Sequence, residues 1–213
     1  MGGSGIISGN FTVKSANDLA LLLRSGALPA PLEVLEERTV GAGLGSDSIR
    51  EGIVASIIGL IAVVLFMVAA YGLFGVFTTV TVFTNLFLML GALSFMGATL
   101  TLPGIAGIIL TIGMAVDANV LIFERMREEV KAGRSTKDAA EAGFTEAWGT
   151  IVDSNLTTLV AAFVLFYFGT GPVRGFAVTL AIGIATSMFT SVTVTRLIIS
   201  SWIAKYKPTR LPI

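Results

Sequence analysis

The sequence predicts an all-α polytopic membrane bundle of five transmembrane helices, preceded by a small N-terminal α+β segment. Three observations lead there. Apolar residues make up 54% of the 213 residues and charged residues only 13%, with a mean hydropathy of +0.87, whereas a soluble domain carries about 25% charge. Five apolar stretches follow Gly52, each near the ~20 residues that cross a bilayer at ~1.5 Å rise per residue. The residues before Gly52 instead mix charge with short apolar runs, as a soluble segment does. The formal net charge is zero, so nothing points to nucleic acid, and the absence of cysteine and histidine excludes disulfides, thiolate or imidazole metal sites and Cys or His catalysis. No cofactor is expected.

The opening MGGSGIISGN has neither the basic n-region nor the apolar h-region of a signal peptide. It reads as the start of a piece excised from a larger protein, with Met1 to Ser4 as residues added in cloning. Phe11 to Val13 is a candidate strand. Ser15 followed by Asp18 resembles a capping box, starting a helix that runs through LALLLR to Gly26, a residue suited to the position just past a helix end. Leu32 to Val40 is a second candidate strand despite Glu33, Glu36 and Glu37. Strand, helix, strand is half of an α+β layer with one apolar face uncovered, so the other half is expected upstream or on a partner chain.

The five spans are Gly52 to Tyr71, Val76 to Ala98, Pro103 to Phe123, Ile151 to Phe168 and Gly175 to Ile199. The second contains the β-prone, polar TTVTVFTN, but its length and its neighbours favour a helix. Arg125, Arg127, Lys131, Arg134 and Lys137 lie between the third and fourth spans, and Lys205, Lys207 and Arg210 follow the fifth; the other short loops carry only Arg174. The positive-inside rule then puts the long basic loop and the C-terminus in the cytoplasm and residues 1 to 50 outside. The predicted division is 1–50, a transmembrane domain over 51–204, and a tail over 205–213. The loop at 124–149 reads as an amphipathic helix on the membrane surface, with Val130, Ala140, Phe144, Ala147 and Trp148 on its apolar side, or as a solvated connector.

The third span holds GMAVDANVLIFER. Asp117 lies about seven residues, or roughly 10 Å, inside the cytoplasmic end, where an ionised carboxylate costs about 2.5–3.5 kcal/mol on insertion scales. Such a group is either protonated or faces a partner or a wet cavity, and both describe a residue that binds and releases a proton; the alternative is a carboxyl that merely hydrogen-bonds a neighbouring helix. Gly113, one turn earlier, leaves room for a neighbouring backbone. Glu124 follows two turns later on nearly the same face, while Asn119 points to another side and needs its own partner. In the fourth span, Asp153, Ser154, Asn155, Thr157 and Thr158 form a polar run near the same end. Asp153 reads either as a site residue or as an acidic residue stabilising a helix start. Thr186, Ser187, Thr190, Ser191 and Thr193 of the fifth span face other helices or a wet path, or bond their own backbone. No Lys or Arg lies deep in the spans, so a cationic partner for Asp117 is expected on another chain or segment.

Two stretches, Thr101 to Glu129 (TLPGIAGIILTIGMAVDANVLIFERMREE) and Ser154 to Ile184 (SNLTTLVAAFVLFYFGTGPVRGFAVTLAIGI), closely resemble the SecD family. Its members are subunits of the bacterial SecDF component of the Sec translocase, within the resistance–nodulation–division superfamily. Phe11 to Ile49 resembles the end of that family's large periplasmic domain. The resemblance implies that the five spans are the second to sixth of six, forming half of a resistance–nodulation–division-type membrane domain. It also implies an inner-membrane location and a non-enzymatic role in export of unfolded preproteins driven by the proton motive force. Implied partners are SecF, the SecYEG channel, membrane lipids and protons. The family's essential aspartate matches Asp117, Asn119 belongs to the same motif, Asn155, Thr157 and Thr158 match the second motif, and a SecF arginine is the implied counter-charge. A proton-driven small-molecule or lipid exporter of the same superfamily is the alternative. Phe11 to Ile49 resembles SecD rather than an exporter's substrate-binding lobe. An intramembrane aspartyl protease needs two facing carboxylates, and only Asp117 lies deep. A passive scaffold of the translocon is distinguished by proton flux through a reconstituted complex.

Overall fold

A computed structural model describes residues 8–24, 42–98, 100–208 and 211–212. The chain divides into two units, Met1–Val40 and Gly41–Ile213. In the first, α1 spans Val13–Arg24. No strand occurs among the described residues, and Phe11 and Thr12 lead directly into the helix, which replaces the strand expected at Phe11 to Val13. Thr12, not Ser15, caps it: the Ser15 amide donates to Thr12 Oγ1 at 3.3 Å and Ser15 Oγ donates to the Thr12 carbonyl at 3.0 Å. Thr is itself a good capping residue, and standing three positions earlier it takes the first free amide. The strand expected over Leu32 to Val40 lies outside the described residues.

The second unit is a helix bundle: α2 (Ala42–Tyr71), α3 (Leu73–Phe95), α4 (Leu102–Lys131), α5 (Thr136–Phe168), α6 (Gly171–Phe189), a five-residue π-helical turn (Thr190–Val194) and α7 (Thr195–Tyr206). The last three form one rod, so among the described residues five helices are long and apolar enough to cross a membrane. TTVTVFTN is helical. The hydroxyls of Thr78, Thr79 and Thr84 each donate to the carbonyl four residues back, at 2.8–3.1 Å, and that of Thr81 lies 3.1 Å from the Phe77 carbonyl. Internal satisfaction of this kind is what a span in hydrocarbon requires, and it outweighs β-propensity. A single residue, Gly72, separates α2 from α3 at φ 54, a conformation that suits glycine.

Two expectations about the chain between the third and fourth spans give way. The helix of the third span continues eight residues past Phe123 to Lys131, and the next begins at Thr136 with Ser135 as cap, accepting from the Asp138 amide. Residues 124–149 are therefore the ends of two long helices joined by a short turn, not a separate surface helix. Burial explains this: Ala140, Phe144 and Ala147 sink into the same core as Ile122 and Met126, while Val130 and Trp148 stay exposed. The helix-start reading of Asp153 also fails, because Asp153 sits well inside α5, which starts at Thr136.

α4 is the hub, packing on α5 and most extensively on α6. Small residues permit that closeness: Gly107 lies against Thr179 and Phe176, and a side chain at Gly183 would run into Thr111. At one end of the bundle Phe74 meets Phe123 edge-on, with centroids 5.2 Å apart, and Trp202 at 6.0 Å. Ile57, Ile58, Ile61, Leu65 and Phe66 of α2 and Phe163 and Tyr167 of α5 point outward, as lipid-facing residues do.

Candidate functional site

Successive residues turn by about 100° around a helix, so Asp117 and Asn119 leave α4 on opposite sides. The structure builds a different polar site on each side.

Asn119 is fully buried. Its Nδ2 donates to the Ala115 carbonyl at 3.1 Å, and its Oδ1 accepts from Thr195 Oγ1 at 2.9 Å. Thr195 Oγ1 also lies 3.0 Å from Thr81 Oγ1. A hydroxyl has one proton and an amide oxygen can only accept. The Thr195 proton therefore goes to Asn119, and Thr81 donates to Thr195. The result is a directed chain from α3 through α7 to α4. Ser191 adds a bond to the Ala115 carbonyl at 3.3 Å. The π-helical turn makes this possible. Ser187, Ser191, Thr195 and Ile199 are all buried, yet in an unbroken α-helix each fourth residue drifts by about 40°. One wider turn cancels part of the drift and keeps the stripe facing its neighbours; such turns recur at functional sites. One turn from Thr81, Asn85 is buried, and its side-chain amide has no hydrogen-bond partner among the described residues.

Asp117 faces the other way. It is exposed on the open side of α4, near the midpoint of a helix running from Leu102 to Lys131, and has no ion pair or hydrogen bond among the described residues. It borders a cavity of about 130 Å³ shared with Ser154, Asn155 and Thr158 of α5 and closed by Met114, Leu121 and Ile151. The α5 donors are turned back on their own helix. Asn155 Nδ2 donates to the Ile151 carbonyl at 2.7 Å, and the hydroxyls of Ser154 and Thr158 donate to the carbonyls of Ile151 and Ser154 at 3.1 and 3.2 Å. With those protons engaged, oxygen lone pairs and the second Asn155 N–H remain for the cavity, and the lone pairs can accept a proton-bearing or cationic group beside Asp117.

The structure thus brings Asp117, Asn155 and Thr158 together and leaves the other expected residues elsewhere. Asp153 and Thr157 are exposed, and Thr157 donates to the Asp153 carbonyl at 3.0 Å. Asp153 does not line the cavity, so among the described residues no second carboxylate faces Asp117 as an aspartyl protease requires. Glu124 belongs to a separate cluster, accepting from the Tyr71 hydroxyl at 2.9 Å and from Arg127 at 2.7 Å. Gly113 is open, with nothing within 4 Å of where a Cβ would stand, so among the described residues no helix uses the room it offers. Sequence reading missed Thr81, Thr195 and Tyr71. For Thr81 a signal was present: Thr78, Thr81 and Asn85 recur at i, i+3 and i+7, one helical face.

Comparison with known proteins bears on the whole chain. A family model described as protein export membrane protein SecD/SecF, C-terminal, matches residues 26–205, and one described as SecDF, P1 head subdomain, matches residues 1–30. Protein translocase subunit SecD of Rickettsia conorii is 57% identical over 211 residues, covering 99% of this chain and 41% of the relative. That of Rhodobacter capsulatus is 54% identical over 212 residues, covering 100% and 38%. A crystal structure of SecDF from Thermus thermophilus, described as a translocon-associated membrane protein, superposes with a TM-score of 0.81 at 44% identity, covering 96% of this chain and 28% of that one. The chain spans about two fifths of the length of these curated relatives.

Proposed function

This chain belongs to the SecD/SecF family of protein export membrane proteins, and from that premise we propose that it supplies the proton-responsive half of an export machine in which Asp117 takes up and releases the transported proton. The observation that carries the reading is a carboxylate midway along a membrane-crossing helix, exposed and unpaired among the described residues, beside an acceptor-lined cavity. A charge there costs about 2.5–3.5 kcal/mol. Protonation removes that cost and alters how the open face of α4 packs against a neighbour. This is a local charge event that biases a two-state arrangement.

The open face of α4, with Gly113 and Asp117 on it, suits a pseudo-symmetric SecF-type partner that brings the cationic group this chain lacks at depth. In this reading the basic loop and the C-terminus are cytoplasmic and the N-terminal segment periplasmic. The machine sits in the bacterial inner membrane and acts on unfolded preprotein emerging from a SecYEG-type channel. Each proton descending the membrane potential supplies about 2.3 kcal/mol per 100 mV, so a large stroke uses several. The buried Thr81–Thr195–Asn119 chain acts as the rigid counterpart, fixing α4 against α3 and α7 while its other face repacks.

The test is preprotein export by membrane vesicles carrying the assembled translocase, with and without a proton gradient. Asp117→Asn should abolish the gradient-dependent part of export while leaving protein levels normal. Gradient-dependent export undiminished in that variant would refute the role of Asp117.

A further inference from the structure

A furrow runs along the seam between the start of α5 and α7, sharing no lining residue with the Asp117 cavity. Its wider part encloses about 720 Å³, with Lys137, Arg196 and Lys207 among its lining residues. Those three side chains are exposed, whereas Ala140, Phe144 and Ile199, also lining it, are buried and form its floor. A second hollow of about 300 Å³ shares Phe144 and Arg196 with the first and is otherwise lined by Thr145, Trp148 and Val192. Both helices give the same order along the seam: Lys137 and Lys207, then Phe144 and Arg196, then Trp148 and Val192. The furrow is therefore basic at its outer end and aromatic and apolar toward the membrane-crossing part of α5. Lys137 and Trp148 are eleven residues apart, a rise of about 16 Å.

The charge balance is favourable to an anion. Three cations face one carboxylate, Glu141, whose Oε1 lies 3.8 Å from the Arg196 guanidinium with both side chains more than half exposed. A pair so long and so wet does not lock Arg196. The guanidinium also stands 5.9 Å from the Phe144 ring. The acidic residues Asp138 and Glu146 line a different recess with Arg134, so the basic character belongs to the side facing α7.

We propose that this furrow seats an acidic phospholipid, its phosphodiester among Arg196, Lys137 and Lys207 and an acyl chain in the hollow of Trp148 and Val192. The polarity sequence along the seam is that of a phospholipid from head to tail. An acidic polypeptide segment would match the basic end alone and has no use for an apolar hollow that leads into the spans. Basic clusters at helix ends recruit anionic headgroups, and tryptophan favours the same interfacial level. The proposal does not depend on the proton role of Asp117 and survives its failure.

Native mass spectrometry of the full chain in detergent micelles, titrated with phosphatidylglycerol, phosphatidylcholine and glycerol 3-phosphate, tests it. Phosphatidylglycerol should be retained in preference to both others. Arg196→Gln should weaken its retention about fivefold, and Lys137→Gln and Lys207→Gln by similar factors. Arg125→Gln, at an exposed pair with Glu128, should leave it unchanged. The three positions are exposed, so the single variants keep the fold. Equal retention of phosphatidylcholine, equal retention of the headgroup alone, or unchanged binding in all three variants would each overturn the proposal. In intact membranes, a photoreactive side chain at Ser200 should capture phospholipid, and capture of polypeptide alone would also overturn it.

Discussion

At Asn119 a single amide is held by two helices, its nitrogen by its own α4 through the Ala115 carbonyl and its oxygen by Thr195 of α7. The oxygen has no second donor among the described residues. Thr195→Val should therefore strand a buried acceptor and cost about 1–3 kcal/mol. Thr81→Val should cost less, because it leaves the bond from Thr195 to Asn119 in place. Thermal unfolding of both variants in one detergent checks the order. That Asn119 and Asp117 serve different sides was legible in the sequence, since two residues make about 200° of helix. The identity of Asn119's partner was not. It depends on a π-helical turn that keeps Ser191 and Thr195 in one stripe, and nothing in TSVTV announces an extra residue in that turn. Glu124 misled for a related reason. Periodicity aligned it with Asp117, but a long side chain near a helix end turns to the nearest donors, here Tyr71 and Arg127.

The helices themselves show where apolar length is a sufficient guide and where it stops. Each of the five expected spans maps onto one helical rod, the second overshooting α3 by three residues past Phe95 and the fifth running through the π-helical turn, because hydrocarbon leaves a crossing segment no alternative to internal hydrogen bonds. Their ends were misjudged where other forces take over. Past Phe123 and before Ile151 the chain is no longer apolar enough to read as a span, yet α4 and α5 persist because Phe144 and Ala147 share one buried core with Ile122 and Met126. The same lesson applies to Thr12, which displaced Ser15 as cap by standing one turn ahead. Close approach of α4 and α6 rests on Gly183 against Thr111. Gly183→Ala should destabilise the bundle by about 1–3 kcal/mol through overpacking. Combining it with Thr111→Ala, which removes two of the three crowding atoms, should recover part of the loss, a coupling read from a double-mutant cycle.

The second unit is a membrane bundle with one face of its hub helix left open among the described residues. α4 is buried by α5 and α6 on its other sides, and on the open side it carries Gly113 and Asp117. In the proposed function this face, which carries a carboxylate and a glycine and has no partner from this chain among the described residues, receives a second subunit rather than lipid. The orientation in the membrane is testable because the chain contains no cysteine. With a membrane-impermeant maleimide, Ala132→Cys should label only after permeabilisation and Leu100→Cys in intact cells; the reverse pattern would invert the topology. The central claim is that Asp117 carries the proton, and proton flux measures it most directly. In proteoliposomes holding the assembled complex under an imposed pH gradient, the native protein should conduct protons and Asp117→Asn should reduce the flux to that of empty liposomes. Flux equal to native in Asp117→Asn would contradict the account.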